Sequence, residues 1–75
     1  MDEKLKKQLL DIFEQEDLEE SQVLREIETW DSLAALSIIA LADTDYGFTL
    51  TAEELKNIST IGELAQYLTR HATRK

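Results

Sequence analysis

The stretch ETWDSLAALSIIALAD, residues 28–43, decides the fold. Between Trp30 and Ala42 its only charged side chain is Asp31, in a chain otherwise thick with carboxylates. A run of Leu, Ala and Ile with no glycine, proline or strict alternation reads as a helix from about Leu33 to Tyr46. Gly47, a natural C-cap residue, stops it. On a helical wheel Leu33, Leu36 and Ala40 mark one side, and Ala34, Ile38 and Ala42 the other. Such a helix is either buried on most sides or keeps one apolar side for a partner. A chain of 75 residues buries only about 60% of its unfolded surface. Core contact on one face and a binding surface on the other is therefore expected.

Asp31 and Ser32 stand at the head of this helix. Both residue types are preferred N-caps, because either side chain can accept a hydrogen bond from an orphan backbone N–H. The same place suits a second use. A helix N-terminus offers free N–H groups and the positive end of the dipole, which favour a phosphate attached to or bound beside the serine. Self-catalysed attack by the hydroxyl is not supported: no base lies nearby, Ser32 is not in a G-x-S-x-G elbow, and His71 is remote in sequence. If Ser32 is modified, another enzyme does it.

Outward from this segment the pattern stays helical. Leu5, Leu9, Ile12 and Phe13 share one stripe, predicting a first helix over residues 3–15 with Asp2 as its N-cap. The acidic stretch that follows is too long for a tight connection. It reads as a structured loop pinned by Val23, Leu24, Ile27 and Trp30. Downstream, Thr51 and Glu54 form a capping box before Leu55 and Ile58, and Thr60 with Glu63 forms another candidate. Ile61, Leu64, Ala65 and Leu68 then share one face of a last helix. The chain has no proline, no internal repeat and no strand-like alternation. The expected fold is all-α: a single domain over residues 1–75, a small four-helix bundle with a long loop after the first helix and a short third helix.

Composition narrows the chemistry. With 16 acidic residues against 8 basic ones, the net charge of −8 argues against nucleic acid, whose phosphates would be repelled. It suits partners with basic patches, and it also keeps a small protein soluble and monomeric. There are no cysteines, so neither disulfides nor thiolate chemistry is available, and a single histidine rules out the usual multi-histidine metal site. No stretch approaches the roughly 20 apolar residues of a membrane span. The N-terminal residues run straight into amphipathic helix pattern without a signal peptide's apolar core, so a cytoplasmic monomer is expected. One decoy resembles a calcium loop, with Asp43, Asp45 and Glu54 at its positions 1, 3 and 12. Gly47 and Phe48 stand where the loop needs an acid or Asn followed by glycine, so no metal site is expected.

The run WDSLAALSIIALADTDYGFTLTAEELKNISTIGELAQYL closely resembles acyl carrier proteins. Its Asp31-Ser32-Leu33 triplet resembles their attachment motif, and the resemblance spans about residues 23–68. It implies that Ser32 carries 4′-phosphopantetheine, donated by coenzyme A through a phosphopantetheinyl transferase. It also implies partner contact through Asp31, Leu33, Ala34, Ser37 and Ile38, and an acyl-chain slot lined by Leu36, Ala40, Leu50, Leu55 and Ile58. The implied role is a non-catalytic carrier serving acyl- or aminoacyl-loading and processing enzymes of fatty-acid, polyketide or related biosynthesis. The second helix departs from the fatty-acid carriers. Ala34 and Ser37 stand where those carry acids, and acids return only at Asp43 and Asp45. Trp30 and the apolar run make the chain more similar to stand-alone carriers of specialised pathways. The alternative is an unmodified helical interaction module, in which the apolar second helix packs on a partner and Ser32 is only a cap.

Overall fold

Leu5, Leu9 and Phe13, each four residues after the last, are wholly buried and pin the first helix, α1 (Glu3–Phe13), to the core. The computed structural model that shows this describes residues 2–73. The helix ends two residues earlier than its pattern predicts, because Glu14 turns into the left-handed region at φ 54°. The Glu14 amide then donates to the Asp11 carbonyl (3.3 Å) and the Gln15 amide to the Leu10 carbonyl (3.0 Å), the two bonds of a Schellman turn. At the other end Asp2 occupies the N-cap position, but its carboxylate makes no capping bond.

The long loop is structured, as expected, and fastened twice. Leu18, Leu24 and Ile27 sink into the core, and a 3-10 turn spans Leu24–Glu26. Beyond these anchors the loop runs along the junction that precedes the last helix. The Leu24 amide donates to the Ser59 carbonyl (2.8 Å), Ile61 to Gln22 (2.9 Å) and Gly62 to Glu20 (2.9 Å). This approach favours glycine at position 62: a Cβ there would lie 3.1 Å from both the Cβ and the carbonyl oxygen of Glu20, closer than ordinary van der Waals contact.

The helices α2 (Ser32–Asp45), α3 (Ala52–Lys56) and α4 (Ile61–His71) complete the bundle. Beyond α2, Gly47 adopts a φ of 71° that only glycine takes without penalty. The capping box at α3 is complete. Thr51 Oγ1 accepts from the Glu54 amide, and Glu54 Oε1 accepts from the Thr51 amide. At α4 only half of the expected box forms. Thr60 Oγ1 accepts from the Glu63 amide, while the Glu63 carboxylate takes the Thr60 hydroxyl rather than its amide. Ile61, Leu64, Ala65 and Leu68 face inward from α4, as their spacing predicts. The longest helix, α2, packs against both α1 and α3. The fold is the all-α four-helix bundle with a short third helix that the pattern implies. No helix among the described residues is long and apolar enough to cross a membrane.

Candidate functional site

The head of α2 settles which residue caps it. Asp31 has extended backbone, and its Oδ1 accepts the Ala34 amide at 2.9 Å while its carbonyl accepts the Ala35 amide at 3.1 Å. Ser32 is the first helical residue. It is exposed, and among the described residues its hydroxyl makes no hydrogen bond. With the cap supplied by its neighbour, that hydroxyl is spare. The amides of Ser32 and Leu33, in the first turn, have no intrahelical carbonyl to bond and point along the positive end of the helix dipole. An oxygen-linked phosphate at Ser32 fits this position in charge and in hydrogen-bonding capacity.

The approach to the serine is held rigidly. Trp30 stacks on Phe13 at the end of α1, with ring centroids 5.9 Å apart and planes 27° from parallel. The Thr29 hydroxyl donates to the Phe13 carbonyl, and the Trp30 amide to the Ile27 carbonyl (2.9 Å). These contacts join the residues just before Ser32 to the C-terminus of α1. The sequence marked Trp30 as a loop anchor, but nothing local identified Phe13 or Thr29 as its partners.

No base reaches Ser32 from the lone histidine. His71 ends α4 and lies against Tyr67 (4.2 Å between centroids) and Phe48 (5.8 Å). Phe48 lies just beyond the far end of α2, a helix of 14 residues that spans about 20 Å at 1.5 Å per residue. The lone histidine therefore supplies no base to the Ser32 hydroxyl.

The two faces of α2 separate as the wheel suggests. Leu33 and Leu36 are 71% and 60% exposed, and Ala40 is exposed beside them, whereas Ile38 is 0% exposed and Ala34 5%. Leu36 and Ala40, expected in the acyl slot, lie on the outer surface. Ala34 and Ile38, expected at a partner contact, lie in the core. Residues 34, 38, 41 and 42 fall on the inner side, three or four positions and so about one turn apart, and burial of that side leaves 33, 36, 37 and 40 outward. Asp31, Leu33 and Ser37 remain on the surface. Leu50, Leu55 and Ile58 are buried in one continuous core with Ile38 and Leu41.

Charges near α3 were also not foreseen. The Tyr67 hydroxyl donates to Glu54 Oε2. That bond, followed by those from Thr51, holds the Glu54 carboxyl below its usual range, and the same carboxylate pushes the Tyr67 phenol above its own. Glu54 is thus engaged by Thr51 and Tyr67 rather than held open for a cation. Among the described residues no group of three His, Cys, Asp or Glu side chains could hold a metal ion. Arg25, the only cation between Lys7 and Lys56 in the sequence, reaches across to carbonyls at the end of α3. Its isolation among acids was the signal available for it.

Comparison with known families identifies the domain. The family model for the phosphopantetheine attachment site matches residues 3–68, most of the chain. Comparisons with curated proteins and with solved structures give no significant match. Domains of this family are the attachment sites of the covalent 4′-phosphopantetheine group and act as carriers alongside a phosphopantetheinyl transferase and biosynthetic enzymes. The family match, the acyl-carrier fold and the exposed serine at the head of α2 lead to one conclusion: this chain belongs to the phosphopantetheine-attachment family, which includes the acyl carrier proteins.

Proposed function

We propose that Ser32 carries the 4′-phosphopantetheine arm and that the protein is a non-catalytic acyl or aminoacyl carrier. The observation that supports this most is the spare, exposed Ser32 hydroxyl at the N-terminus of α2, beside a different residue that already supplies the cap. When bound, the arm supplies a terminal thiol able to hold an acyl group as a thioester. The chain's own residues do the rest. Asp31 offers the transferase an anion next to the hydroxyl, and the free amides of the first turn favour the phosphate.

Leu33, Leu36, Ser37 and Ala40 present an uncharged outer face, so partner enzymes of this carrier dock mainly through apolar contact rather than through a row of acids. Leu50, Leu55 and Ile58, with the inner face of α2, are the side chains that shelter cargo. We assign the protein to fatty-acid, polyketide or related specialised biosynthesis, acting as a single monomeric domain in the cytoplasm.

The test is intact mass after incubation with coenzyme A and a broad-specificity phosphopantetheinyl transferase, for wild type and Ser32→Ala. A gain of one phosphopantetheine on wild type alone supports the reading. A second reading, an unmodified interaction module, draws on the exposed Leu33 and Leu36. It requires that folded wild type gain no mass with any of several transferases.

A further inference from the structure

The shortest helix is held at its exit by a residue from another part of the chain. A helix of five residues does not stand on its own propensity, and its end is closed only by a tight turn, in which the Asn57 amide donates to the Glu54 carbonyl and the Ile58 amide to the Leu55 carbonyl (both 3.1 Å). One guanidinium braces this turn from outside. Arg25 Nη1 donates to the Ile58 carbonyl at 3.0 Å, and Nη2 donates to the carbonyls of Leu55 (3.4 Å) and Lys56. A cation at a helix C-terminus is electrostatically favoured, and the planar fork of arginine, with five donors in fixed geometry, spans acceptors spread more widely than an ammonium can. The loop that presents Arg25 is itself fixed. Leu24 is wholly buried, and its amide bonds to the Ser59 carbonyl.

We propose that Arg25 is a latch on α3 that governs how far the seam between α2 and α3 opens to admit cargo. This rests on the carrier reading above. Leu50, Leu55 and Ile58 are at most 4% exposed and packed in the same core as Ile38 and Leu41. At the density of a protein interior an acyl chain enters such a seam only by displacing one wall. The wall that yields is α3: it has five residues, only one of them buried, against fourteen for α2, which is braced on α1. Displacing its C-terminal end breaks the Arg25 bonds. Its N-terminal end stays tied to α4 by the bond from Tyr67 to Glu54, while the Thr51 box keeps its own first turn intact. Arg25 is a positioning residue: the longer the cargo, the more fully it must let go.

Two measurements test this. The first is amide hydrogen exchange on the unmodified protein, comparing wild type, Arg25→Lys and Arg25→Gln. The amides of Leu55, Asn57 and Ile58 should exchange about tenfold faster in Arg25→Gln, with Arg25→Lys between and α1 unchanged. Equal exchange at these amides in all three proteins overturns the latch. The second uses wild type alone and so does not depend on a variant folding. The Arg25 Nε–H resonance is followed by NMR after loading with acetyl or octanoyl phosphopantetheine. It should move with octanoyl and stay with acetyl. A resonance indifferent to chain length on normally loaded protein overturns the latch while leaving the carrier reading intact. Failure to load at all overturns the carrier reading, and the cargo role of Arg25 with it.

Discussion

At Ser32 the division of labour between two adjacent residues has a measurable consequence. Because Asp31 accepts the Ala34 amide, Asp31→Ala removes the cap and should cost about 1 kcal/mol in chemical denaturation. Ser32→Ala removes no bond and should stay within about 0.5 kcal/mol of wild type, yet abolish attachment of the arm by intact mass. A large loss of stability in Ser32→Ala would instead mark the serine as structural. Glu54 and Tyr67 make a second residue-scale case. The carboxyl is held low chiefly by the phenol, so the charged, hydrogen-bonded form stabilises the fold above the ordinary carboxylate value of 4.5. That contribution is lost as pH falls through the lowered folded value. For the phenol the sign is reversed: its raised value stabilises below 10.0 and is lost as pH rises through the folded value. Total stability also changes in acid as the other carboxylates neutralise, so the informative quantity is the difference from Tyr67→Phe. Denaturation midpoints should differ at neutral pH and converge in strong acid. A constant difference would mean that the hydroxyl acts other than through Glu54.

Among the elements, α2 shows most clearly what periodicity can and cannot tell. Its apolar residues lie almost all round, so hydropathy alone does not say which side is inward. Packing on α1 and α3 decides that Ile38 is core and Leu36 is surface. Ile38→Ala should therefore cost about 2–5 kcal/mol and Leu36→Ala less than about 0.5 kcal/mol, read from urea midpoints. Comparable costs would show that the outer face is covered. The end of α1 carries an opposite expectation. Glu14 holds a left-handed conformation that is uncomfortable for any residue with a Cβ. Glu14→Gly should raise stability by about 1 kcal/mol, since glycine is the natural occupant of that turn. Calorimetry showing no gain would mean that the Glu14 side chain compensates elsewhere. Both helices show the same limit. Caps and stripes act within one or two turns and are visible in sequence, while the choice of inner face and the point of termination depend on what packs across.

For the whole molecule, charge dominates. Eight net negative charges on a small bundle repel one another. The ion pair of Lys6 with Asp17 (3.0 Å) relieves this only locally, because both side chains are exposed and screened. Raising ionic strength shortens the screening distance, about 10 Å at 0.1 M salt, so the melting temperature should rise with salt, and with divalent cations at lower concentration. A melting temperature unchanged by salt would show that the carboxylates are already spaced widely enough not to matter.

The all-α class, the helix stripes, the Thr51 box, the stop at Gly47 and the serine at the head of an apolar helix were legible from residues alone. Each depends on neighbours three or four positions apart, or on the φ preference of a single residue. Tertiary structure alone decided that Asp31 caps so that Ser32 is spare, that Leu36 and Ala40 face out while Ala34 and Ile38 face in, that Gly62 admits Glu20, and that Arg25 clasps α3. Apart from the choice of cap, these features join residues far apart in the chain. Loop closure brings such residues together only when the whole core forms, and no local pattern encodes which partner each will meet.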